Sequence, residues 1–501
     1  METLNLIRPE LLTFSTEQIR TLWPYLVVFL GAILAILGSV LKGTSSKWPV
    51  FFITLITCGF GIYHSSELMR EPGMILFNGM MVSDAYSHFF NAVFLSATLF
   101  TAFASFKYLD QEQMQHPEYF VLLLFSALGM MLMVSSLDLI VLFIALELMS
   151  LCVYALVGFR RNDRRSNEAA MKYFILGSVA SAVFLYGAAL LYGSTGSTDL
   201  NRIFDLLQDN PLVQTPVYVL GLVLVVFGFL FKVAAVPFHM WMPDVYEGAP
   251  TPVTGFMTTG LKAAAFAIFL RVLVTLGYGR GFTQYIQTHI HDLLWVIAAL
   301  TMLVGNVVAL TQTHLKRMLA YSSIAHTGYL LVGIVAGVQG ELGFYPVVMY
   351  LVSYAVMNLG AFVVLTILGQ RSDTGLNLHD LSGVSRQHPW LAFCMAVFLF
   401  SMAGIPPTAG FAAKYMLLYS AVQAGEIPLV VIAVLCSAIS VYYYLRVLVY
   451  MYMREPAGSP SQLRTPLWTH LALMTMVVLT LQIGVLPGKV IHLAKKAVMS
   501  I

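Results

Sequence analysis

The chain has 501 residues, 59% of them hydrophobic and only 10% charged, with a mean hydropathy of +0.81. A soluble domain carries about 25% charged residues, so this composition describes a chain that crosses a membrane many times. The net charge of +3 is too small to argue for nucleic acid or an acidic partner, and Cys58, Cys152, Cys394 and Cys436 stand singly in apolar segments, with no spacing for a metal, haem or iron–sulfur centre.

Arg8 and Arg20 precede a first apolar run at 22–41, too long for a cleaved leader and without a small-residue cleavage pattern, so it is predicted to stay as the first span. Further runs long enough to cross follow at 49–66, 83–106, 118–136, 138–158, 168–192, 215–242, 251–274, 292–312, 317–338, 343–369, 390–424, 427–450 and 466–487. The expectation is an all-α polytopic membrane protein of about fourteen transmembrane helices with short connections. No Walker A motif or strand-borne GxGxxG is present, so no nucleotide site is expected.

Lysine and arginine in the loops set the predicted orientation. Loops after odd-numbered runs carry Lys42, Lys47, Lys107, the stretch Arg160-Arg161-Asn162-Asp163-Arg164-Arg165, Lys316, Arg317, Arg371, Arg386, Arg454 and Arg464. Loops after even-numbered runs carry Arg70, Arg202 and Arg280 among acids such as Asp199, Asp205, Asp209 and Glu341. The odd side is therefore read as cytoplasmic and both termini as external, although Arg8, Arg20, Lys489, Lys495 and Lys496 run against the rule.

Two proline-interrupted stretches match each other. Phe231-Lys232-Val233-Ala234-Ala235-Val236-Pro237 and Phe400-Ser401-Met402-Ala403-Gly404-Ile405-Pro406 share Phe, Ala and Pro. They lie in runs seven and twelve, five apart, so the copies cross in opposite directions, the pattern of an inverted repeat around a transport pathway. A weaker pair, Tyr154-x-x-x-Gly158 and Tyr329-x-x-x-Gly333, links runs five and ten. The predicted division is an N-terminal three-helix segment at 1–117, repeat A (spans four to eight) at 118–275, inverted repeat B (spans nine to thirteen) at 276–455, and a C-terminal helix at 456–501. Helix breaks are expected at Pro237 and at Pro406-Pro407.

Charged side chains inside these runs cost at least about 2.5–3.5 kcal/mol each and mark candidate function. Lys232 and Lys262 each lie about ten residues from a linker containing Asp244 and Glu247, hence roughly 15 Å deep, near the bilayer midplane. Glu147 is similarly deep in run five, where a Glu–Lys pair can be toggled by a neighbouring charge. Lys172 opens run six one turn after Glu168 and reads equally as an interfacial i,i+4 pair or as the partner of Glu147. His239, two turns beyond Lys232 on the same helical face, and His326, among small hydroxyl residues in AYSSIAHTGY, read as proton relays or as structural histidines. Lys414 follows the second break by two turns and is placed on the external half, whereas Ser401 stands where a counterpart of Lys232 is expected. Such repeats are related in backbone and not in charge, which suits the entry and exit halves of one proton path. Tyr442, Tyr443, Tyr444 and Arg446 read as interfacial anchors.

PFHMWMPDVYEGAPTPVTGF followed by LKAAAF, together with LKRMLAYSSIAHTGY, resembles the signatures of the proton-pumping antiporter-like subunits of respiratory complex I. The YEGAPTPVT and LKAAAF versions are most similar to the subunit N (subunit 2) branch. The resemblance spans runs four to thirteen and implies two inverted five-helix bundles with spans seven and twelve broken. It makes Glu147 the span-five glutamate paired with Lys172, Lys232 the span-seven lysine, Lys262 the central lysine and Lys414 the outward one, where the M-type pattern has glutamate. It implies a proton-translocating subunit of an NADH:quinone oxidoreductase in a bacterial inner membrane, both termini periplasmic. M-type and small hydrophobic subunits would be its neighbours, and NAD and quinone chemistry would belong to other subunits. No catalytic residue, cofactor or metal is expected in this chain; protons and the lipid bilayer are its expected partners. A subunit of a cation/proton antiporter or of a membrane-bound hydrogenase of the same superfamily is the alternative, and a purely structural anchor has no need of buried charges.

Overall fold

Apolar runs fold as helices in a bilayer because a helix satisfies its own N–H and C=O groups where no water can. The computed structural model describes residues 15–40, 47–209, 215–279, 281–339, 342–369, 371–456 and 466–501. Arg8, Lys42, Arg280, Glu341 and Arg464, used in the orientation, lie outside the described residues. The first half contains α1 (Thr16–Val40), α2 (Trp48–Leu68), α3 (Ala85–Gln111), α4 (Glu118–Ser135), α5 (Leu139–Val157), α6 (Arg164–Thr195), a short α7 (Leu200–Asp209), α8 (Pro216–Lys232), α9 (Trp241–Gly248), α10 (Thr251–Phe256) and α11 (Lys262–Thr275). The second half contains α12 (Gln284–Thr311), α13 (Leu315–Gly337), α14 (Tyr345–Leu368), a single turn α15 (Val384–Gln387), α16 (Pro389–Ala403), α17 (Ala409–Gln423), α18 (Ile427–Met453), α19 (Leu467–Val485) and α20 (Gly488–Val498).

Among the described residues, twelve helices are long and apolar enough to cross a membrane, α10 and α11 counting as one through a π-helical turn at Met257–Leu261. Runs seven and twelve are split, as expected: α8 stops at Lys232 and α9 resumes at Trp241, and α16 stops at Ala403 and α17 resumes at Ala409. Each interruption contains a cis X–Pro bond, at Val236-Pro237 and at Pro406-Pro407.

The described residues are nearly all helical, as expected, with one short antiparallel hairpin, Met74–Leu76 with Met81–Ser83, in the α2–α3 connection. Its turn places Asn78 and Gly79 at positive φ, and a bridge from Met81 to Ser136 ties it to the α4–α5 connection. The C-terminal segment holds two helices and not one, because Pro487 separates α19 from α20. On α20, Ala494 and Ala497 are buried while Lys489, Lys495 and Lys496 are exposed, so these dissenting charges decorate an amphipathic helix and not a connecting loop.

The α10–α11 segment, α13 and α14 form the buried centre. The outer helices turn residues such as Leu37, Tyr186 and Leu435 outward as apolar surface. Glycine lets the backbones approach closely where bilayer helices lack a hydrophobic drive to associate. A Cβ at Gly187 of α6 would sit 2.8 Å from the Gly221 carbonyl oxygen of α8, and one at Gly305 of α12 would sit 2.5 Å from the Ala325 amide nitrogen of α13.

A buried charge cluster fixes the α9–α10 connection. Asp373 Oδ2 lies 3.1 Å from Lys316 Nζ and 3.3 Å from Arg160 Nη2, and its Oδ1 accepts the Tyr108 hydroxyl at 3.1 Å. Lys316 also donates to the Ala249 carbonyl at 2.5 Å, and Arg160 to the Gly248 carbonyl at 3.1 Å. Burial pushes the Asp373 carboxyl upward, but the Lys316 ammonium and Arg160 guanidinium prevail and hold it below its ordinary value. A depressed carboxyl contributes stability that is complete above the unfolded value, near pH 4, and is lost as pH falls through the folded one. Asp373→Asn leaves the buried Lys316 ammonium without its carboxylate and Arg160 with Asp163 alone, and is expected to cost about 3–5 kcal/mol near neutrality. Thermal unfolding of the purified protein should show that loss at pH 7, together with a weaker decline on acidification than in the parent.

Candidate functional site

Ending a helix inside a membrane strands its last carbonyls, and the first interruption satisfies them with side chains from neighbouring helices. After α8 the chain turns through Ala234, at φ +56°. Thr327 of α13 donates to the Val233 carbonyl at 2.7 Å, Thr301 of α12 accepts the Val236 amide at 3.0 Å, and Trp241 Nε1 donates to the Phe231 carbonyl at 3.2 Å. The interruption also aims Lys232, whose Nζ donates to Ser150 Oγ at 2.9 Å. Ser150 lies one turn beyond Glu147 on α5, and Glu147 accepts Ser181 Oγ of α6 at 2.5 Å.

Lys262 follows the π-helical turn, a local widening that recurs at functional sites. It is 2% exposed. Its amine donates to the Ser323 carbonyl at 2.5 Å and to Ser323 Oγ at 2.6 Å, 5.3 Å from the centre of the Tyr354 ring. The Tyr354 hydroxyl donates to Ser323 Oγ at 2.8 Å, and Asn358 donates to that hydroxyl. One turn along α13, His326 meets the Tyr350 hydroxyl at 2.6 Å through Nδ1 and the Tyr444 hydroxyl at 3.2 Å through Nε2. Tyr444 also bonds Ser322.

The second interruption is closed by Lys414. From the second turn of α17 its amine reaches back to the Met402 carbonyl at 2.9 Å and the Ala403 carbonyl at 3.3 Å, the free C-terminal acceptors of α16. It also donates to Ser437 Oγ at 3.2 Å and lies 5.1 Å from the Tyr329 ring centre. The amine therefore sits at the break itself and not beyond it, because the side chain points back along the helix. Among the described residues, none of Lys232, Lys262 and Lys414 has a carboxylate within ion-pair distance. Thr327 and Tyr354 both bond Ser323, which holds Lys262, and Tyr329 lies beside both His326 and Lys414.

The two interruptions share a backbone pattern in a register one residue off the sequence match. Ala235 N bonds Leu230 O as Ile405 N bonds Phe400 O, Ala234 N bonds Phe231 O as Gly404 N bonds Ser401 O, and positive φ falls at Ala234 and Gly404. The position of Lys232 thus corresponds to Met402, whose carbonyl holds Lys414, and not to Ser401. The shared Phe and Pro letters pulled the sequence match off by one.

Two expected pairings do not form. Lys172 is joined to Asp244 at 2.6 Å, with Glu168 at 4.0 Å, and not to Glu147. The residue of α6 level with Glu147 is Ser181, nine positions past Lys172 and about 13 Å along the helix. Asp244 also meets Arg317 at 2.7 Å, which holds Glu247 at 3.0 Å, so Lys172 belongs to a surface clamp on α9. His239 does not share a helical face with Lys232, since α8 has already ended. It is half-buried on the far side of the interruption, next to Met240, which is 74% exposed.

Tyr350, Tyr354, Asn306 and Ser323 were not singled out in the sequence, Tyr329 entered only through the weaker repeat match, and Tyr444 only as an interfacial anchor. Tyr443 and Tyr444 are buried and not interfacial: Tyr443 donates to Asn306 Oδ1 at 3.1 Å, and only Tyr442 of the three faces outward. The available signal was Ser437 and Ser440, which share the inner face of α18 with Tyr444 at helical spacing. Arg446 caps α12 by donating to the Leu310 carbonyl at 2.8 Å and the Gln312 carbonyl at 2.6 Å. Among the described residues no three His, Cys, Asp or Glu side chains converge on a common point.

Residues 136–440 match the family model described as NADH:quinone oxidoreductase/Mrp antiporter, TM. The chain is 42% identical to NADH-quinone oxidoreductase subunit N 2 of Rhizobium meliloti, covering 95% of this chain and 96% of that one. It is 41% identical to NADH-quinone oxidoreductase subunit N of Trichlorobacter lovleyi, covering 97% and 98%. A chain of respiratory complex I from Thermus thermophilus superposes with a TM-score of 0.79 at 34% identity, over 94% of this chain and 98% of that one. A chain of the Mrp complex from a Dietzia species superposes with a TM-score of 0.83 at 20% identity, over 96% and 97%, a likeness of fold alone.

The new partner of Lys172 is measurable. A double-mutant cycle of Lys172→Ala with Asp244→Ala is expected to give a coupling of about 0.2–1 kcal/mol, the range for a partly exposed pair. The cycle of Lys172→Ala with Glu147→Ala should give none. Thermal unfolding of the purified protein reads both.

Proposed function

The chain belongs to the membrane-subunit family shared by NADH:quinone oxidoreductases and Mrp antiporters, and from that premise we propose that it is the N-type proton-translocating subunit of an NADH:quinone oxidoreductase membrane arm. The observation that carries this reading is the file from half-buried Glu147 and Lys232 through buried Lys262 and His326 to buried Lys414, in which three amines are held by hydroxyls, rings and carbonyls. A fixed carboxylate beside each amine would lock its charge, and neutral partners leave it free to change.

Glu147 is half-buried on a face of α5 that also exposes Ile140, Ile144 and Leu151, an apolar surface suited to a neighbouring membrane subunit. A charge change arriving there alters the field at Lys232, which Ser150 links to the same stretch of α5. Two unit charges about 6 Å apart interact by roughly 3 kcal/mol at an effective dielectric near 20, which changes the ratio of charged to neutral amine about a hundredfold. The proton displaced from Lys232 then has Thr327 and Ser323 on the way to Lys262, whose hydroxyls both accept and donate. From Lys262 the Tyr354–His326–Tyr444 cluster leads to Lys414, and Ser437 continues beyond it. Lys172 acts through Asp244 on the placement of α9 and is outside the relay.

We read residues 118–275 and 276–455 as the two inverted repeats, supported by the common hydrogen-bond pattern of the interruptions. The arginine and lysine residues gathered around Asp373 support a cytoplasmic placement for that face, in a bacterial inner membrane with both termini periplasmic. Other membrane-arm subunits are the partners, and the electron carriers lie outside this chain.

The test uses the assembled complex in sealed native membranes. Glu147→Ala and Lys232→Ala are expected to leave the complex assembled while NADH-driven proton uptake and coupled turnover fall severalfold. Full pumping by the Glu147→Ala complex would sink the relay. Purification from native membranes should bring down redox subunits; antiporter subunits alone would favour the Mrp-type reading.

A further inference from the structure

A second polar file crosses the protein along α3, sharing no residue with the lysine axis. Asp84, Asn91, Thr98, Ser105 and Glu112 are spaced seven apart, and Ser87, Thr101 and Tyr108 follow three residues after three of them. In a helix that is the a/d seam, the stripe that normally packs apolar side chains into a neighbour. Here it runs about 36 Å from Asp84 to Tyr108, enough to cross the hydrocarbon, and Phe94 is its one apolar a/d position. Every member from Asp84 to Tyr108 is buried.

The seam has named partners. At one end Arg271 of α11, 2% exposed, meets Asp84 at 2.8 Å and Ser87 at 3.3 Å. His88 bonds Ser83 Oγ at 2.7 Å, and Asn91 donates to the Tyr25 hydroxyl at 3.1 Å, which is 2.5 Å from Ser135 Oγ of α4. Further along, Ser105 meets the Tyr119 hydroxyl of α4 at 2.8 Å. The link from Asn91 to Ser135 through Tyr25 and the pairing of Ser105 with Tyr119 set an antiparallel register that brings Ser126 level with Thr98. At the other end Tyr108 bonds Asp373, which Arg160 also holds.

Among the described residues, many polar atoms on this line have no protein partner. Asp84 Oδ2, His88 Nδ1, Asn91 Oδ1, Thr101 Oγ1, Ser126 Oγ and Arg271 Nε are buried and unbonded. Buried polar atoms are almost always satisfied, and where protein does not do it, water does. The line also has a mouth. A cavity of about 590 Å³, lined by Glu112, His116, Arg160, Arg161, Arg165 and Arg371 among others, opens at the Tyr108 end, and Arg160 joins it to Asp373. At the opposite end the Asp84–Arg271 pair is sealed, both side chains 2% exposed.

We propose that the α3 seam is a water-filled half-channel, open to the arginine-lined cavity and closed at the other face by Asp84 and Arg271, that admits water and protons into the N-terminal helices. The arginines at the mouth hold multivalent cations off and leave a hydrogen-bonded file as the conducting element. A fully paired polar helix contact would satisfy all its groups; here, among the described residues, Asp84 Oδ2, Asn91 Oδ1, Thr101 Oγ1 and Ser126 Oγ are left without a protein partner.

The test is thiol accessibility in the intact complex, in sealed vesicles of known sidedness. A thiol reacts as thiolate, which forms in water and not in a dry helix contact. Thr98→Cys and Ser105→Cys are close in size to the residues they replace, and Ala97→Cys is a control at the depth of Thr98 but off the seam. Treated with a small water-soluble methanethiosulfonate from the cavity face and read peptide by peptide in a mass spectrometer, both seam cysteines should be modified at least about tenfold faster than the control. Equal rates at Thr98→Cys and Ala97→Cys would overturn the half-channel. Arg271→Lys, which loosens the closure, should make Thr98→Cys reactive from the opposite face and raise passive proton leak. Retained protection and tightness there would overturn the closing role of the pair.

Discussion

An ammonium inside a bilayer with no carboxylate beside it must be held by dipoles, and in this protein the dipoles come from interrupted helices and from hydroxyls that face them. Lys414 sits on the free carbonyls of Met402 and Ala403, and Lys262 sits on the carbonyl and hydroxyl of Ser323. The interruption of α8 is held open by Thr327, Thr301 and Trp241, which take the hydrogen bonds a continuous helix would have made. The break and the buried amine are one arrangement: the break supplies acceptors, and the amine relieves acceptors that would otherwise be stranded in hydrocarbon.

The charges at the membrane surface do different work. Asp373, Lys316 and Arg160 form a tight buried cluster that grips the Gly248 and Ala249 carbonyls, and Lys172, Asp244, Arg317 and Glu247 form a looser one around α9. Both fix the connection between α8 and α11, hence the distance between Lys232 and Lys262. In the proposed relay, paired charges position the path and unpaired ones form it. That division assigns Lys172, which the sequence left open between an interfacial pair and a partner of Glu147, to the positioning group.

Apolar runs, proline interruptions and deep lysines were all legible in the sequence, because each is a local property of composition or spacing. Pairing was not. Glu147 and Lys172 look like partners until the antiparallel run of α5 and α6 places Ser181 beside the glutamate. Pro237 marks the first break, yet the helix ends five residues earlier, and that shift takes His239 off the face it was assigned to. Tyr444 looks interfacial beside exposed Tyr442, because a difference of two positions is more than half a helical turn and sends one ring outward and the other to His326. The one-residue error in aligning the two breaks has the same origin: letters matched, whereas hydrogen bonds set the equivalence.

The central claim is that the three amines between α8 and α17 carry the protons this subunit moves. The direct measurement is the number of protons translocated per NADH oxidised by sealed vesicles whose complex carries Lys262→Met, a side chain of similar length without the amine. The account predicts a lower ratio with NADH-to-quinone electron transfer still present when the vesicles are uncoupled. A ratio equal to that of the parent complex would contradict it.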